Sequence, residues 1–493
     1  MSVRSWAMVA LVALGIGFWA CSHVTLPGGY VVNFPLTGGG AIPAEEIGRL
    51  RVPGGFGLTV FAEGIPNARM LKFTPAGDLL VSAPREGRVF LLERDENGDG
   101  RAEGKRVLLE DLDLPHGLAL HDGWLYVAET GAVTRVRFDA ETRTVTGTPE
   151  VVVGDVPPGG RHWTRTIGIG PDEKLYVSVG SSCNACIEED ARRAAITRYD
   201  LDGTNEQIYA TGLRNAVGFA WQPATGALWS TDNNRDLLGD DFPPGELDEI
   251  VEGGFYGWPF ANGDRVPDPD FLEGYEREIA ASIPPAHDFA AHTAPLGITF
   301  YDGEAFPEHY RGAAFVALHG SWNRSRKIGY EVVAVFFGED DLLREESFLA
   351  GLLDDDDVLG RPVDVAVGPD GALFVSDDFS GQIYRVAYGE TPRAAVVPAA
   401  PIASGVDPLA GVGPGELREA QAAGASLWKD ADCAACHGPD RTEGHRSLAD
   451  LKARYTIDSL MRFLAAPQPP MPLYPLDEDQ RRELSIYLFG RFS

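Results

Sequence analysis

The feature that most constrains the fold is a strand–turn–strand unit that recurs between residues 55 and 389. Each copy joins two apolar strands through a tight turn rich in Pro, Asp and Gly, and a polar loop follows. The clearest copies are Leu71–Ser82 and Val365–Ser376, and four others begin at Gly117, Ile167, Gly218 and Ile298. Strand alternation with this turn chemistry excludes a helical solenoid, and six copies spaced very roughly 45–80 residues apart are typical of propeller blades. The sequence predicts an all-β, six-bladed β-propeller over residues 55–389.

A second informative stretch lies behind this region, where Cys433–His437 reads Cys-Ala-Ala-Cys-His. This spacing lets two thiols form thioether bonds to haem while the imidazole ligates the iron. Helical patterns flank it at Glu416–Trp428 and Leu476–Phe489, and Met471 follows in a proline-rich loop. Residues 413–493 resemble a class I cytochrome c, which implies a small all-α domain with one haem c. The resemblance implies covalent attachment at Cys433 and Cys436, with His437 and Met471 as the axial iron ligands.

Other readings of this stretch remain open. A Cys-x-x-Cys pair can form a disulfide or half of a zinc site, although the flanking helices favour haem. His445 is the alternative to Met471 as an axial ligand. Met461 is the other nearby thioether, but it falls within an apolar helical pattern and is expected to belong to the core.

The length and charge of the chain limit the number of domains and the classes of partner. A chain of 493 residues is too long for one ordinary core, so two or more domains are expected. The formal charge of −31 excludes nucleic acids and anionic membrane surfaces as general partners. Residues 22–54 are expected to form a tether and lead-in, and residues 390–412, rich in Ala, Pro and Val, a linker.

The N-terminus has the pattern of an export signal over residues 1–21. Arg4 precedes the apolar run Trp6–Ala20, which is short for a membrane span and suits a signal segment. Cys21 follows an imperfect lipobox, which predicts a lipoprotein anchored through that residue. Simple cleavage and a retained anchor are the alternatives. Each of them predicts a location on the periplasmic side, with the membrane contacted only through this anchor.

Cys183 and Cys186 form the other Cys-x-x-Cys pair, and Ile187 follows it, so it is not a second haem motif. In an oxidising compartment the expected state is a disulfide. A redox-active or metal-binding role is the alternative.

Several short motifs within the repeats carry a family resemblance. They are His162 with Ile169–Asp172, Leu213–Asn215, Thr231–Asp236, Gly254–Pro259 and His319–Arg324. Together they resemble the soluble quinoprotein glucose dehydrogenases and, more closely, the sorbosone and aldose sugar dehydrogenases that bind pyrroloquinoline quinone (PQQ). The resemblance implies that His162 is the general base, which would take the hydroxyl proton of the substrate.

The same resemblance implies a set of cofactor residues. PQQ is a tricarboxylate, so Arg214, Asn215 and Arg361 are expected to bind it. The second of the family's two closely spaced arginines falls on Val363, and the family's lysine has no identical residue here. His319 and Arg324 are the candidates to replace that lysine.

Calcium is the third expected cofactor. The resemblance implies that backbone carbonyl oxygens of the loop containing Asn233 and Asn234 bind it. A separate stretch, Asp95–Gly100, copies the opening of a calcium loop, but its twelfth position is Arg106 rather than Glu. This second stretch is read as a polar hairpin tip, with a weak structural calcium site as the alternative.

The expected function is that of a PQQ- and calcium-dependent dehydrogenase of a sugar, aldehyde or alcohol. Electrons would pass singly to the chain's own haem c and then to an external cytochrome, copper protein or oxidase. Two other classes remain open: a calcium-dependent propeller hydrolase similar to a lactonase, and a non-catalytic electron carrier whose propeller is a docking platform. Substrate-binding loops are expected at Asp236–Pro284 and Phe306–Ser325.

Overall fold

The chain is seen in a computed structural model, which describes residues 23–25, 31–33, 41–42, 47–338, 343–389, 409, 412–430, 448, 451, 457, 460–461, 464 and 476–491. It divides into two compact units, Met1–Ala395 and Val396–Ser493. Their boundary lies within the segment 390–412 that the sequence identifies as a linker.

The first unit is dominated by six mainly antiparallel sheets, which we number as blades in chain order. Strands of blades 1 to 3 are β4 (Leu71–Phe73), β5 (Leu79–Ala83), β6 (Arg88–Leu92) and β7 (Lys105–Leu109); β8 (Leu118–His121), β9 (Trp124–Ala128), β10 (Val133–Asp139) and β11 (Thr144–Val153); and β12 (Arg165–Ile169), β13 (Leu175–Val179), β14 (Ala195–Tyr199), β15 (Gln207–Thr211) and β19 (Gly254–Phe255).

Strands of blades 4 to 6 are β16 (Phe219–Trp221), β17 (Leu228–Asp232), β18 (Gly245–Ile250) and β22 (His287–Phe289); β23 (Pro295–Phe300), β24 (Ala314–Leu318), β25 (Glu331–Phe337) and β26 (Leu343–Leu349); and β29 (Pro362–Val367), β30 (Leu373–Asp377), β31 (Gln382–Tyr388) and β3 (Phe56–Ala62).

Short elements complete the unit. They are the hairpins β1 (His23–Thr25) with β2 (Val31–Asn33), β20 (Ala261–Asn262) with β21 (Val266–Pro267) and β27 (Leu353–Asp354) with β28 (Asp357–Val358), the helix α1 (Glu276–Ala281) and the 3-10 turns Pro84–Glu86 and Glu308–Tyr310.

The six innermost strands form a closed ring. Each contacts the innermost strand of the next blade, in the order β4, β8, β12, β16, β23 and β29, and β29 contacts β4 again. Strand β3, which precedes blade 1 in the chain, pairs with β31, so blade 6 is built from the first and the last strand of the propeller. Ring closure leaves no long exposed inner edge, as expected for a propeller. The prediction of a six-bladed β-propeller is confirmed.

Second strands of the blades are apolar over nearly their whole length because they are covered on both faces. All residues of β5, β13, β24 and β30 are buried. Phe56 of β3 packs edge-on against Phe306 and Phe348 of blade 5, with ring centroids 4.7 and 5.1 Å apart. Such aromatic contacts add to the burial of apolar area and attach the closing strand to its neighbour.

Buried hydroxyl groups join neighbouring blades. The Oγ of Ser178 in blade 3 donates to the carbonyl of Ala216, which precedes β16. Thr231 of blade 4 donates to the Leu296 carbonyl of blade 5 at 2.6 Å. Ser376 of blade 6 donates to the Arg69 carbonyl, just before β4. The Ala216 and Arg69 carbonyls precede their strands, and Leu296 lies where the pairing of β23 with β24 is irregular, so the hydroxyls satisfy acceptors that burial would otherwise leave unpaired.

The loop at Asp95–Gly100 is a self-bonded hairpin tip. Asp95 accepts hydrogen bonds from the backbone N–H groups of Gly98, Asp99 and Gly100. These Asx-type contacts stabilise the turn.

The second unit contains two long helices, α2 (Pro414–Asp430) and α3 (Glu478–Arg491). They cross closely at Gly424, where an added Cβ would lie 2.4 Å from the Cβ of Tyr487. Trp428, Leu484 and Leu488 are buried in their shared core. Both predicted cytochrome helices are therefore present. The predicted haem residues Cys433, Cys436, His437 and Met471, and the alternative ligand His445, lie outside the described residues.

The predicted signal segment and Cys21 also lie outside the described residues. Among the helices that the structure describes, none combines the length and the apolar character needed to cross a bilayer.

The blade-joining hydroxyls can be tested with Ser376→Ala. Ser376 Oγ also accepts from the Asp364 N–H at 3.0 Å, so the variant leaves two buried backbone groups without a partner. We expect the free energy of unfolding to fall by about 1–3 kcal/mol in urea titrations of the full chain. Ser347→Ala is the control, because Ser347 is exposed on β26 and its hydroxyl donates to Glu331 within blade 5 and not between blades; it should change stability by less than about 1 kcal/mol. Equal effects of the two variants would contradict the role of Ser376.

Candidate functional site

A cavity of about 370 Å³ lies at the end of the ring where the innermost strands begin. Its volume falls in the range of small-molecule sites, about 300–1,000 Å³. Ring closure brings together seven of the eight predicted base and cofactor residues here: His162, Arg214, Asn215, Asn233, Asn234, His319 and Arg361. Arg324 does not line the cavity. Its guanidinium donates to the Asp240 and Ala291 carbonyls and to the Asp241 carboxylate.

His162 is held by the segment that leads into β12. Two buried arginines fix the backbone of this segment: Arg165 donates to the carbonyls of Pro157 and His162, and Arg193 donates to those of Pro157 and Gly159. Gly180 faces the imidazole at a point where an added Cβ would lie 2.7 Å from His162 Cβ, so only glycine allows this approach.

The protonation of His162 follows from its partners. Its Nδ1 lies 2.9 Å from the Ser181 carbonyl oxygen, which only accepts, so Nδ1 carries the hydrogen and Nε2 the lone pair. Burial and then the positive charge of Arg214 lower the pKa of His162 to about 3, with Arg161 and Arg165 adding to the effect. The ring is therefore neutral at pH 7 and offers Nε2 as a proton acceptor.

Arg214 lies under the cavity and is almost fully buried. Its Nη1 donates to the Asn233 and Asn234 carbonyls at 2.9 and 2.7 Å. Nε and Nη2 donate to Asn184, and Nη2 also donates to the Asp236 carboxylate at 2.8 Å. All the N–H groups of the guanidinium thus have protein acceptors. In this arrangement Arg214 orders the loops around the cavity, and its predicted contact with a cofactor carboxylate would require it to exchange partners.

The predicted calcium oxygens are the same two carbonyls, those of Asn233 and Asn234. Because a guanidinium nitrogen already lies against both, a calcium ion there would face a positive charge. The residues as arranged therefore do not fit calcium at these oxygens.

Asp378 organises the opposite wall of the cavity. Its Oδ1 accepts from Arg361 Nε and Nη2 at 3.0 and 2.9 Å and from His319 Nε2 at 3.1 Å, and its Oδ2 accepts from Arg69 at 2.9 Å. Burial opposes ionisation, but His319, Arg361 and Arg69 hold the pKa of Asp378 well below its usual range. Burial lowers the pKa of His319 to about 4 despite this carboxylate, with Arg361 adding to the effect. One carboxylate thus faces more positive charge than it can neutralise.

Two cavity residues, Arg69 and Lys327, were not identified from the sequence. Arg69 precedes β4, and its Nε is buried without a hydrogen-bond partner among the described residues. Its Nη2 lies 3.5 Å from Nε2 of the buried His116. Lys327 donates from Nζ to the Asp356 carbonyl at 2.6 Å. The only available signal was the position of Arg69 just before a repeat, which many arginines share.

These residues fit a polyanionic ligand. The cavity wall carries the side chains of Arg69, Arg361 and Lys327, and the Asn215 amide also lines it. Arg361 uses Nε and Nη2 on Asp378, and for its Nη1 the described part of the chain shows no acceptor. Guanidinium and ammonium donors are what carboxylates require. The donor set therefore fits PQQ, a tricarboxylate.

Cys183 and Cys186 form a disulfide, with Cα atoms 6.2 Å apart. Together with Glu188 they are the one group of three or more potential metal ligands that the described residues bring within 4.8 Å of one another. The disulfide occupies both sulfur atoms, so in this state the group is not a metal site.

Known proteins are similar to both parts of this chain. The family model described as TrAA12-like matches residues 50–242 and 277–389, and the cytochrome c model matches residues 421–489. An uncharacterized protein of Borreliella burgdorferi is 30% identical over 364 residues, which cover 70% of this chain and 93% of that protein. A pyrroloquinoline quinone-dependent sugar dehydrogenase of Hypocrea jecorina is 25% identical over 393 residues, which cover 67% of this chain and 87% of that protein.

Solved structures show the same fold. The holo form of the pyranose dehydrogenase PQQ domain from Coprinopsis cinerea aligns with a TM-score of 0.59 at 22% identity and covers 69% of this chain and 97% of its own. A calcium structure of a Trichoderma reesei family AA12 enzyme aligns with a TM-score of 0.60 at 24% identity, covering 69% and 97%. The chain belongs to the TrAA12-like family, and it joins a propeller similar to PQQ-dependent sugar dehydrogenases to a cytochrome c domain.

Proposed function

We propose that this protein is a PQQ-dependent dehydrogenase of sugars that passes its electrons to its own haem c. The observation that carries the proposal is a neutral His162 whose Nδ1 is committed to Ser181, in a cavity whose other wall is cationic. A base next to a binding site for a polyanionic oxidant is what oxidation of a hydroxyl carbon requires. The similarity to sugar dehydrogenases supports the substrate class.

Arg361, Lys327, Arg69 and Asn215 would hold PQQ through its carboxylates and carbonyl oxygens. When bound, PQQ supplies a two-electron acceptor for hydride removed from a carbon that bears a hydroxyl group. Asp378 keeps Arg361 in place by accepting its hydrogen bond, and His319 holds the same carboxylate oxygen of Asp378. Arg214 acts here as a positioning residue, because its donors hold the loops that carry Asn233, Asn234 and Asp236.

His162 acts as the base. Its Nε2 accepts the hydroxyl proton of the substrate as the carbon loses hydride, and the Ser181 carbonyl stabilises the resulting imidazolium through Nδ1–H. The surrounding arginines, Arg214, Arg161 and Arg165, oppose that positive charge. The proton is therefore held weakly and can pass on to solvent after the carbonyl product forms.

The cytochrome segment supports the proposed electron route. Cys433, Cys436, His437 and Met471 would hold one haem c, which takes one electron at a time. An external cytochrome, copper protein or oxidase would then accept these electrons. Assembly of haem c and the pattern of residues 1–21 support a periplasmic location, with Cys21 as the anchor.

The decisive experiment adds PQQ, with and without calcium, to the purified full-length protein and follows the absorption of reduced haem. A panel of aldoses, other pyranoses, alcohols and aldehydes should contain sugars that reduce the haem. Absence of haem reduction by every substrate, despite PQQ bound in stoichiometric amount, would refute the proposal. Hydrolysis of lactones by the same preparation would instead favour the hydrolase class.

Replacement of the base should separate binding from chemistry. In His162→Ala we expect kcat to fall by about 10²–10⁴-fold while the Kd of PQQ changes little, because His162 supplies no cofactor donor in the proposed site. The measurements are steady-state turnover with an artificial electron acceptor and PQQ titration by fluorescence quenching. Turnover within about threefold of the wild type would contradict the assignment of His162 as the base.

The pH dependence should show the low pKa of the base. A histidine with its pKa near 3 loses its function only as the pH falls through that value, so kcat/KM should not drop between pH 7 and 5 on account of His162. An ordinary histidine would lose half of its activity near pH 6.5. An inflection near pH 6.5 that disappears in His162→Asn would contradict this prediction. The assay uses an artificial acceptor, so that the haem does not contribute.

Two arginines provide a matched pair for the cofactor site. Arg361→Gln removes a cavity cation, so we expect the Kd of PQQ to rise about 10–100-fold, which corresponds to the loss of one charge-assisted hydrogen bond. Arg324→Gln is the control, since Arg324 does not line the cavity, and it should change that Kd by less than about threefold. If Arg324→Gln weakens binding more than Arg361→Gln does, the assignment is reversed.

A further inference from the structure

We propose that Asp236 selects the substrate: oriented by Asn323 and His292, its carboxylate binds a hydroxyl group of the sugar other than the one that is oxidised. The inference rests on the proposed function and narrows the substrate class to compounds with several hydroxyl groups, because a simple alcohol has no second hydroxyl to donate. Asp236 and Asn323 lie in the two loops that the sequence predicts to bind substrate, Asp236–Pro284 and Phe306–Ser325.

Asp236 lines the cavity and has unused acceptor positions. Its Oδ2 accepts from Arg214 Nη2 at 2.8 Å, and its Oδ1 accepts from Asn323 Nδ2 at 3.4 Å. A carboxylate has about four acceptor positions, and the described residues use two of them. The side chain keeps 16% of its surface exposed and faces the cavity. A ligand in the cavity can therefore donate hydrogen bonds to this carboxylate.

Asn323 holds the carboxylate, and two acceptors determine the orientation of its amide. Its Nδ2 donates to Asp236 Oδ1 and to His292 Nδ1, which lies at 3.3 Å. His292 Nδ1 carries the lone pair, because Nε2 lies 2.8 Å from the Gly239 carbonyl and must carry the hydrogen. Turning the amide over would set its oxygen against both acceptors. The donors of Asn323 therefore orient Asp236, although its own buried Oδ1 has no partner among the described residues.

The loop that carries His292 is fixed in an uncommon conformation. His292 and Ala294 have φ angles of 66° and 54°, in the left-handed region that residues other than glycine rarely adopt. Backbone N–H groups that follow β24 enforce this conformation by donating to the carbonyls of Thr293 and Ala294 at 2.8 and 3.0 Å. The loop thereby sets the imidazole against Asn323 as a fixed acceptor.

The acceptor cluster lies across the ring from one of the cofactor cations. Asp236 follows β17 of blade 4 and Arg69 precedes β4 of blade 1, and these blades are opposite each other in the ring. A carboxylate repels the carboxylates of PQQ and accepts from hydroxyl groups, so this side of the cavity favours the sugar. Arg214 donates to Asp236, and burial together with the charge of Arg214 lowers the pKa of His162. A sugar held by Asp236 therefore lies on the side of the cavity that carries the base.

The first test needs no substitution. With the PQQ-loaded full-length protein, kcat/KM is measured for the best sugar of the panel and for its monodeoxy analogues, except the analogue that lacks the oxidised hydroxyl. We expect one analogue to lose at least about tenfold in kcat/KM, because a site built to bind a hydroxyl rejects the analogue that lacks it. If every analogue reacts within about threefold of the parent sugar, the proposal is wrong.

The second test connects this loss to Asp236. In Asp236→Asn, which keeps the shape but not the charge, the penalty for that one analogue should shrink to about threefold or less. General damage to the loop would lower kcat/KM for all the sugars alike and leave the penalty unchanged, which would overturn the proposal. Asp241→Asn is the matched control, because Asp241 belongs to the same loop but is 91% exposed and is not among the residues that line the cavity. It should keep the wild-type penalty.

Asn323→Ala tests the positioning role. The penalty for the same analogue should fall, because Asp236 loses the donor that orients it, while the Kd of PQQ stays within about threefold of the wild type. A penalty equal to that of the wild type would contradict the role of Asn323 in orienting the carboxylate.

Binding without chemistry separates this inference from the dehydrogenase proposal. Saturation-transfer difference NMR gives the Kd of the parent sugar for the PQQ-free full-length protein, and we expect it to rise about tenfold in Asp236→Asn. A wild type that binds the sugar but does not oxidise it once loaded with PQQ would refute only the dehydrogenase proposal. A wild type that does not bind the sugar, or equal Kd values for the wild type and Asp236→Asn, would overturn this inference.

Discussion

Closure of the ring of inner strands is the constraint on which the rest of the structure depends. Each blade buries both faces against its neighbours, so none of them has a complete core alone. The serine and threonine hydroxyls that cross between blades, such as Ser376 to the Arg69 carbonyl, set the depth at which neighbouring strands begin. Since the cavity forms where those strands begin, the same bonds decide which side chains surround it. The packing between blades therefore also determines the composition of the cavity wall.

The charge of the cavity wall is opposite in sign to the net charge of the chain. The formal charge is −31, yet the cavity wall is positive, because the arginines there face carbonyl oxygens or share a single carboxylate. Arg214 uses mainly carbonyl and amide oxygens, whereas Arg69 and Arg361 share Asp378 with His319. Uncharged acceptors satisfy donors without cancelling charge. This arrangement keeps the local field that would lower the pKa of a bound acid and disfavour protonation of His162.

Much of this could be predicted from the sequence, for physical reasons that also set the limit. The six blades could be predicted because the same turn residues recur in each repeat. The two cytochrome helices could be predicted because the spacing of their apolar residues is itself a local signal. His162 and Arg361 were located only because they follow motifs of a resembling family. Arg69 and Lys327 could not be found, because ring closure brings them together from opposite ends of the propeller. Arg324 lies only three residues before Lys327, yet the Asp240 and Asp241 loop draws it away from the cavity.

Pairing of β3 with β31 has a consequence for how the chain is made. Phe56 is the partner of Tyr388, so blade 6 cannot form until nearly the whole propeller has left the ribosome. Until then the apolar face of β3 is exposed and has to be shielded from aggregation. In the finished ring, the pairing of β3 with β31 holds the first and last strands of the propeller together. A proteolytic cut beside either strand would release the lock without removing a single residue from the cavity.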